Sequence, residues 1–183
     1  MKNKFFTTRV ILIFFCYFFQ SNVILAKDLN FKATEISTYE EGNLVVGNKN
    51  AEVKIDNELE IYADKFTFNR DKETLIAEGN VKAIDLVNKV NIQGNKLFYD
   101  KILNKIVSFN ETNFIIKEKY KIYSKDVNFL INDKIFFSDK FTKILDDENN
   151  DIRLSSFKYF DKEEIIKGFN IELLDKEGNN YLV

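Results

Sequence analysis

The 183-residue sequence contains no histidine, proline or tryptophan, and its one cysteine is Cys16. Cys16 lies in an N-terminal segment that we expect to be removed, so the remaining chain has neither a thiol nor an imidazole. That absence excludes the common nucleophile–base pairs, the usual zinc ligand sets and an internal disulfide. A pair of carboxylates, as in glycoside hydrolysis, is the enzymatic arrangement still available to such a chain.

The densest group of carboxylates is Asp146-Asp147-Glu148, with Asp151 three residues further on. Two asparagines separate Asp151 from the others, and this composition is typical of a solvated turn. The spacing also matches no known calcium-binding loop. We therefore predict no enzymatic activity, no catalytic or metal site, and no cofactor.

The N-terminal apolar run, Val10 to Phe19, is about half of the roughly 20 residues that a membrane-spanning helix needs. Lys2, Lys4 and Arg9 precede this apolar run, and a second short apolar stretch ends at Ala26. A basic start, a short apolar core and a small residue at the end are the parts of a secretory signal. We predict a cleavable signal peptide over residues 1–26 and one exported domain over 27–183, with an uncleaved anchor as the alternative.

The exported part has no excess of basic side chains. Without the three basic residues of the signal it keeps 24 basic against 29 acidic side chains, a net charge of −5. This balance does not predict a nucleic-acid partner. A chain of about 157 residues is also long enough to bury a core without disulfides.

The exported part consists of internal repeats that are each about 30 residues long. Written in lines that are 30, 31, 30, 30 and 29 residues apart, the chain begins its lines at Phe31, Ile61, Ile92, Ile122, Ile152 and Tyr181. The first and sixth positions of each full line are apolar, and the eighth is aromatic in four lines of five. Matched columns at a fixed period are the sequence signature of a repeat architecture.

Each line of the repeat predicts two strands joined by a polar turn. In the second line, Ile61 to Asn69 and Thr74 to Ile84 are rich in alternating apolar residues, and Arg70 to Glu73 is the turn between them. The apolar parity changes between the third and sixth positions, which predicts a β-bulge or a bend there. Comparable turns are predicted at Glu41 to Asn43, Asn132 to Lys134, Asp147 to Asp151 and Lys176 to Asn180.

Two Gly-Asn pairs interrupt the second strand of the first two lines, Gly47-Asn48 and Gly79-Asn80. Glycine inside a strand usually marks a bulge or corner, and asparagine tolerates left-handed backbone angles. We predict that each hairpin folds over at this pair, which would give the stack of strands an inside and an outside.

The second line carries a family resemblance. Its strands Ile61-Tyr62-Ala63-Asp64-Lys65-Phe66-Thr67-Phe68 and Leu75-Ile76-Ala77-Glu78-Gly79-Asn80-Val81 resemble the OstA-like family of lipopolysaccharide-transport domains. The resemblance is specific over Phe31 to Asp100. Beyond that range the 30-residue rhythm persists, but the Gly-Asn corner is lost or degraded, as at Asn110 and Gly168-Phe169-Asn170.

The resemblance implies an all-β fold, an open antiparallel β-jelly roll of about five 30-residue two-strand repeats. It implies lipopolysaccharide as ligand, with the lipid A acyl chains in an apolar groove. Further implied partners are other jelly-roll domains, joined by strand addition at Lys27 to Thr38 and at the C-terminal strand, and the outer-membrane assembly complex. The implied location is the periplasm, in association with the outer membrane.

Two types of family member fit the chain, the periplasmic bridge protein LptA and the N-terminal domain of the assembly protein LptD. Tyr181 starts a sixth line that stops after three residues, which favours an LptD-type domain truncated at its C-terminus. The bridge type remains the alternative.

The inward-facing columns of the repeat predict which residues contact lipid. These are Ile61, Ala63, Phe66, Phe68, Leu75, Ala77, Val81, Ile92, Leu97, Tyr99, Ile106, Ile122, Val127 and Phe129. A carrier of acyl chains needs a continuous apolar trough, because each CH₂ removed from water contributes roughly 0.8 kcal/mol. The alternative is that the same columns pack against one another as the closed core of a structural or adhesive repeat protein.

Overall fold

The computed structural model describes residues 29–182, so the predicted signal peptide lies outside the described residues. Sixteen strands account for most of this range, and one 3₁₀ turn, Glu40–Gly42, is its only helical element. The strands are β1 (Leu29–Lys32), β2 (Glu35–Tyr39), β3 (Leu44–Ile55), β4 (Leu59–Asn69), β5 (Thr74–Asp85), β6 (Val90–Asp100), β7 (Lys105–Ile116), β8 (Tyr120–Lys125), β9 (Asn128–Leu130), β10 (Ile135–Ser138), β11 (Thr142–Leu145), β12 (Asp151–Leu154), β13 (Ser156–Phe160), β14 (Ile165–Phe169), β15 (Glu172–Leu174) and β16 (Asn180–Leu182). Within 29–182 no helix is long and apolar enough to cross a membrane.

All sixteen strands belong to one antiparallel sheet. Its main path runs β1-β3-β4-β5-β6-β7-β8-β11-β12-β15-β16, and β2, β9, β10, β13 and β14 extend it beside that path. Neighbours in the sheet are mostly neighbours in sequence, as expected when each repeat adds one hairpin. The predicted all-β class and the open antiparallel jelly roll are confirmed.

The long strands β3 to β7 bend in the middle, and the bend divides the sheet into two layers. The register of strand pairing shifts at the bends of β3, β4, β5 and β6, so each pair has an irregularity halfway along. The first layer contains β1, β8, β11, β12, β15, β16 and residues 51–55, 59–63, 81–85, 90–94 and 111–116. The second layer contains β2, β9, β10, β13, β14 and residues 44–48, 65–69, 74–78, 96–100 and 105–109. The change predicted between the third and sixth positions is observed as a register shift in the second and third lines and as a break between two strands in the other three.

Asparagine makes the bend. Asn50, Asn80, Asn110 and Asn170 all have a positive φ, between 46° and 61°, and they are 30, 30 and 60 residues apart. Asparagine tolerates this left-handed region better than most residues. The predicted corner is therefore right at Gly79-Asn80, where Gly79 also has a φ of 76°, and the degraded corner that we expected at Asn110 is a full bend.

The corner predicted at Gly47-Asn48 is wrong by two residues, since Lys49 and Asn50 take the positive φ angles there. Gly47 serves a different purpose. A Cβ atom at this position would lie 2.2 Å from Cε1 of Phe66, on the neighbouring strand β4. Gly47 thus leaves the space that the buried Phe66 ring occupies.

After Tyr120 the repeats break where the earlier ones bend. One to three residues without strand structure separate the two strands of each pair, and one strand of the pair lies in each layer. The pairs are β8 and β9, β10 and β11, β12 and β13, and β14 and β15. The predicted turns at residues 41–43, 70–73, 132–134, 147–151 and 176–180 are observed as turns, although Asp151 and Asn180 already begin strands.

Candidate functional site

The fourteen predicted lipid-contacting residues lie together in the interior between the two layers. Thirteen of them are no more than 6 % exposed, and Ala63 packs against the same hydrophobic cluster while being partly exposed. Alternating residues of a strand point to opposite faces, which is why the columns of the repeat select the inward side. The structure therefore brings these residues into one apolar interior, and contact with lipid stays a prediction.

Aromatic rings fill the interior and connect the layers. Phe31 of the first layer lies 5.0 Å from Phe66 and 5.2 Å from Phe68 of the second layer, measured between ring centroids. Further along, the rings of Phe129 and Phe136 stack at 4.0 Å on adjacent strands β9 and β10. The interior is packed by its own side chains, and a ligand can enter only if the layers move apart.

The edge opposite the bends, here called the mouth, is lined by two rows of turns. The first-layer row includes residues 56–58, 86–89 and 117–119, and the second-layer row includes 70–73, 101–104, 131–134 and 161–164. The backbone hydrogen bonds of these turns run along each row, for example from Leu86 N–H to Glu58 C=O and from Lys101 N–H to Glu73 C=O. Each row is thus a ladder that extends its own layer.

A cavity of about 720 Å³, here called the mouth cavity, lies between the two rows. Its lining comes from both layers: Glu58, Leu59, Asp85, Val87 and Asn88 of the first, and Glu73, Tyr99, Lys101, Ile102, Asn104, Ile131, Asn132 and Lys134 of the second. Leu59 and Tyr99 also belong to the hydrophobic core, so the cavity reaches the interior. Tyr99 is the member of the predicted lipid-contacting set that lines it.

Polar side chains of the second layer form a hydrogen-bonded chain beside the mouth cavity. The Tyr99 hydroxyl donates to Asn104 Oδ1 at 3.3 Å, and Asn104 Nδ2 donates to Asn132 Oδ1 at 2.6 Å. Lys101 Nζ lies 2.6 Å from Glu73 Oε1. Burial, reinforced by nearby carboxylates such as Asp56, raises the pKa of Tyr99, so its hydroxyl remains a hydrogen-bond donor.

Two ion pairs connect the rows towards the C-terminal half of the mouth; we call them the latch. Lys117 Nζ lies 3.0 Å from Asp161 Oδ1, and Lys119 Nζ lies 2.8 Å from Glu164 Oε2. The rings of Tyr120 and Tyr159 meet beside them at 5.3 Å. The latch holds the layers together in this half, whereas the mouth cavity separates them in the other.

The acidic cluster at 146–151 is a self-contained turn. Asp146 accepts hydrogen bonds from the backbone N–H groups of Glu148 and Asn150 and from the side chain of Asn150. Asp151 pairs with Lys143 and Arg153 on neighbouring positions of the sheet. These carboxylates stabilise the local structure, in agreement with the sequence interpretation of a solvated turn.

Sequence reasoning missed the residues of the mouth. The latch joins positions about 44 residues apart, and the mouth cavity combines turns from several repeats. The available signal was the position of each turn along the chain. In a repeat of bent hairpins, every second turn lies in the same layer, so consecutive turns must form two facing rows along one edge. Comparing the charges of the two rows would have placed Lys117 and Lys119 opposite the acidic residues Asp161 and Glu164.

No protein-family model matches this sequence, and no curated protein matches it. Among solved structures, the chain is similar to LptH from Pseudomonas aeruginosa, described as the LptA-homologous periplasmic component of the lipopolysaccharide transport device. The TM-score is 0.48 at 9 % sequence identity, over 86 % of this chain and 94 % of LptH. A likeness at this level does not indicate the activity of this chain.

Proposed function

We propose that this chain is an exported carrier that holds the acyl chains of lipopolysaccharide between its two layers and passes them towards the outer membrane. The observation that carries the proposal is the construction of the interior. A continuous apolar interior lies between layers that the chain joins along the bent edge, while the turns at the mouth form their backbone hydrogen bonds within each row. Separating the rows would expose the interior without breaking the strand pairing of either layer.

The energetics of an acyl chain suit such an interior. Each buried CH₂ contributes roughly 0.8 kcal/mol, so a chain of a dozen carbons gains on the order of 10 kcal/mol. This gain must offset the interlayer contacts that the ligand replaces, such as the contacts of Phe31 with Phe66 and Phe68. Because those contacts are apolar, the inserted chain restores much of the packing that it disrupts.

The proposal includes export and two kinds of partner. The signal over residues 1–26 would deliver the domain 27–183 to the periplasm, in association with the outer membrane. Other jelly-roll domains would join by strand addition at the edge strands, and the outer-membrane assembly complex would receive the lipid. The LptA and LptD types are distinguished by partner, because an LptD-type domain is continuous with an assembly barrel and a bridge protein binds it from outside.

Native mass spectrometry of the protein tests the carrier function. The full chain is expressed in a Gram-negative host that makes lipopolysaccharide, and the protein is purified from the periplasmic fraction. We expect a polypeptide that begins at Lys27 and carries a lipid A mass. A lipid-free mass that persists after addition of excess lipopolysaccharide would contradict the carrier function.

A matched pair of variants places the lipid in the interior. Ala77 is buried between Phe66 and Leu97 of the adjacent strands, so Ala77→Leu fills interior space. Ile76 is the next residue of the same strand on the outer side, and Ile76→Leu is the control. We expect Ala77→Leu to reduce the bound lipid and Ile76→Leu to retain it, provided that both variants keep the wild-type far-ultraviolet circular dichroism.

The second candidate is a structural or adhesive repeat protein with a closed core. The stacking of Phe129 on Phe136 at 4.0 Å favours it, because the interior is filled by its own rings. Such a protein would show the same fold and export, but the wild-type protein would carry no lipid mass. The mass measurement therefore decides between the two candidates.

A further inference from the structure

Four exposed aliphatic side chains stand on the two turns that flank the mouth cavity. Leu86 and Val87 belong to the first-layer row and are 51 % and 60 % exposed, and Ile102 and Leu103 belong to the second-layer row and are 69 % and 66 % exposed. Val87 and Ile102 also line the cavity. Clustered apolar residues around a cavity, unlike scattered ones, mark a surface that contacts apolar ligand.

A residue of the cavity lining also carries a buried acceptor without a partner. Asn88 is 6 % exposed, and its Oδ1 has no hydrogen-bond partner among residues 29–182. Its Nδ2 donates to Asp85 Oδ2 at 2.7 Å, and its backbone N–H donates to Asp85 Oδ1 at 2.8 Å. Because a carboxylate only accepts, the amide nitrogen must face Asp85, and this fixes which end of the amide is the oxygen.

A buried acceptor left unpaired is costly, and such atoms in native proteins call for an explanation. Here the explanation that fits the surroundings is a ligand that donates a hydrogen bond. Among the charged groups of the lining, Lys101 is paired with Glu73, and Asp85 accepts from Asn88. A hydroxyl or an amide N–H is the matching donor.

The latch restricts where a ligand can enter. Lys117–Asp161 and Lys119–Glu164 connect the rows beyond the turn at 117–119, and the rings of Tyr120 and Tyr159 close the space beside them. The four aliphatic residues lie on the turns before that point. Entry through the mouth cavity therefore leaves the latch intact.

We infer that the mouth cavity is a loading port for an acyl chain that bears a hydroxyl or an amide N–H. The apolar part of the chain contacts Leu86, Val87, Ile102 and Leu103 on the way to the interior. Once the rows separate, its hydroxyl or amide N–H donates to Asn88 Oδ1, which is covered in the closed structure. The port deepens the proposed carrier function and rests on it. It assigns to this chain a specificity-determining residue, Asn88, and a place where loading begins.

Two neutral probes that differ by one hydroxyl test the port. Methyl 3-hydroxytetradecanoate and methyl tetradecanoate are titrated against the full chain, with displacement of a fluorescent apolar dye as the readout. We expect the hydroxylated ester to bind about tenfold more tightly, the ratio that corresponds to one hydrogen bond to a buried acceptor. If the wild-type protein binds the two esters with equal affinity, the proposed role of Asn88 is wrong, and no variant is needed to show it.

Variants separate the two parts of the port. Asn88→Leu should remove the preference for the hydroxylated ester and leave the affinity for methyl tetradecanoate within about twofold. Because the substitution also removes the Nδ2 donor to Asp85 Oδ2, the variant is compared only if it keeps the wild-type circular dichroism. The double variant Val87→Ser/Ile102→Ser should weaken both esters by about tenfold through lost apolar contact. Phe141→Ser is the matched control, because Phe141 is equally exposed, at 64 %, in the break between β10 and β11 on the bent side.

The outcomes distinguish the port from the function on which it rests. If Val87→Ser/Ile102→Ser and Phe141→Ser bind both esters as the wild type does, the port is overturned while the carrier function stands. The same conclusion follows if neither ester binds although lipid A co-purifies. If neither ester nor lipid A binds the wild-type protein, the carrier function and the port fall together.

Discussion

The Nζ atom of Lys117 lies 3.0 Å from Oδ1 of Asp161, and the two residues belong to opposite layers of the bent sheet. Asp161 is only 3 % exposed, and it also accepts a hydrogen bond from the Tyr159 hydroxyl at 3.1 Å. Burial, together with the neighbouring carboxylate, raises the pKa of Tyr159, which keeps this hydroxyl protonated as a donor. In the first ion pair of the latch, a buried carboxylate is thus satisfied from both layers.

Removing the Lys117 ammonium should destabilise the fold. In Lys117→Met, Asp161 keeps the Tyr159 hydroxyl but loses its charged partner, and a loss of about 1–3 kcal/mol in the free energy of unfolding is expected. Urea denaturation followed by circular dichroism measures the loss. Lys140→Met is the control, since Lys140 pairs with the adjacent Asp139 at the surface and such pairs contribute about 1 kcal/mol or less. Equal effects of the two variants would show that the interlayer position of Lys117 has no importance.

The second pair of the latch predicts a pH dependence. The hydrogen bond from Lys119 lowers the pKa of Glu164 below its ordinary value of 4.5. Since the folded pKa is the lower one, the contribution of this pair to stability is present above about pH 4.5 and is lost as the pH falls through the folded pKa.

Comparison with Glu164→Gln isolates this contribution from that of the other carboxylates. The difference in unfolding free energy between the wild type and Glu164→Gln should be constant from pH 7 to about pH 5 and should shrink below pH 4.5. Urea titrations at several pH values measure it. If the difference is unchanged at pH 3, the ionised form of Glu164 does not contribute to stability.

The repeat made the strands and their bends predictable. Alternating apolar residues predicted the strand Ile61 to Asn69, and the structure extends it by two residues to Leu59. The change of parity within each line located the bulges, because a one-residue insertion is what moves inward residues to the other parity. The asparagine column at positions 50, 80, 110 and 170 was also present in the sequence. The prediction instead followed the Gly-Asn pairs, which coincide with this column only at Asn80.

The relation between the layers was not predictable in the same way. Whether Lys117 contacts Asp161 depends on how far the sheet folds over at each bend, a quantity that strand spacing does not determine. The same holds for Gly47, whose importance comes from the Phe66 ring on the next strand and not from its own backbone angles. Properties that follow from the period of one strand were predicted, and those that need two surfaces to meet were not.

Gly47 should tolerate no larger residue. In Gly47→Ala the added Cβ would lie 2.2 Å from Cε1 of Phe66, whose ring is buried and packs against Phe31. Because this ring has little room to move, the substitution should cost about 1–3 kcal/mol of unfolding free energy. Thermal or urea denaturation measures the change.

Two further variants test the cause of that destabilisation. Gly94→Ala adds a methyl group whose nearest neighbours are 3.4 Å away, without a positive φ, and it should leave stability nearly unchanged. Gly47→Ala/Phe66→Leu should lose less stability than the sum of its two single variants, because the smaller side chain makes room for the methyl group. If the losses of stability in the two single variants add up to the loss in the double variant, the clash with Phe66 is not the cause of the destabilisation by Gly47→Ala.

Strand addition at the edges of the sheet predicts how the protein associates. β2 borders the second layer, pairs only with β3 in the described structure and has no buried residue. Its outer side offers backbone N–H and C=O groups to another strand. We expect the protein to form oligomers that depend on concentration, as measured by sedimentation velocity.

Proline substitutions at consecutive positions block that outer side. Along an antiparallel edge strand, backbone N–H groups point alternately to the neighbouring strand and to solvent, so Ile36→Pro and Ser37→Pro remove one group of each kind. The variant whose lost N–H pointed to solvent should remain folded by circular dichroism and sediment as a monomer, whereas the other should lose part of the β2–β3 pairing. If both variants fold and still associate as strongly as the wild type, β2 is not a docking edge, and association uses another edge, either β1 or the opposite end of the sheet at β14 and β16.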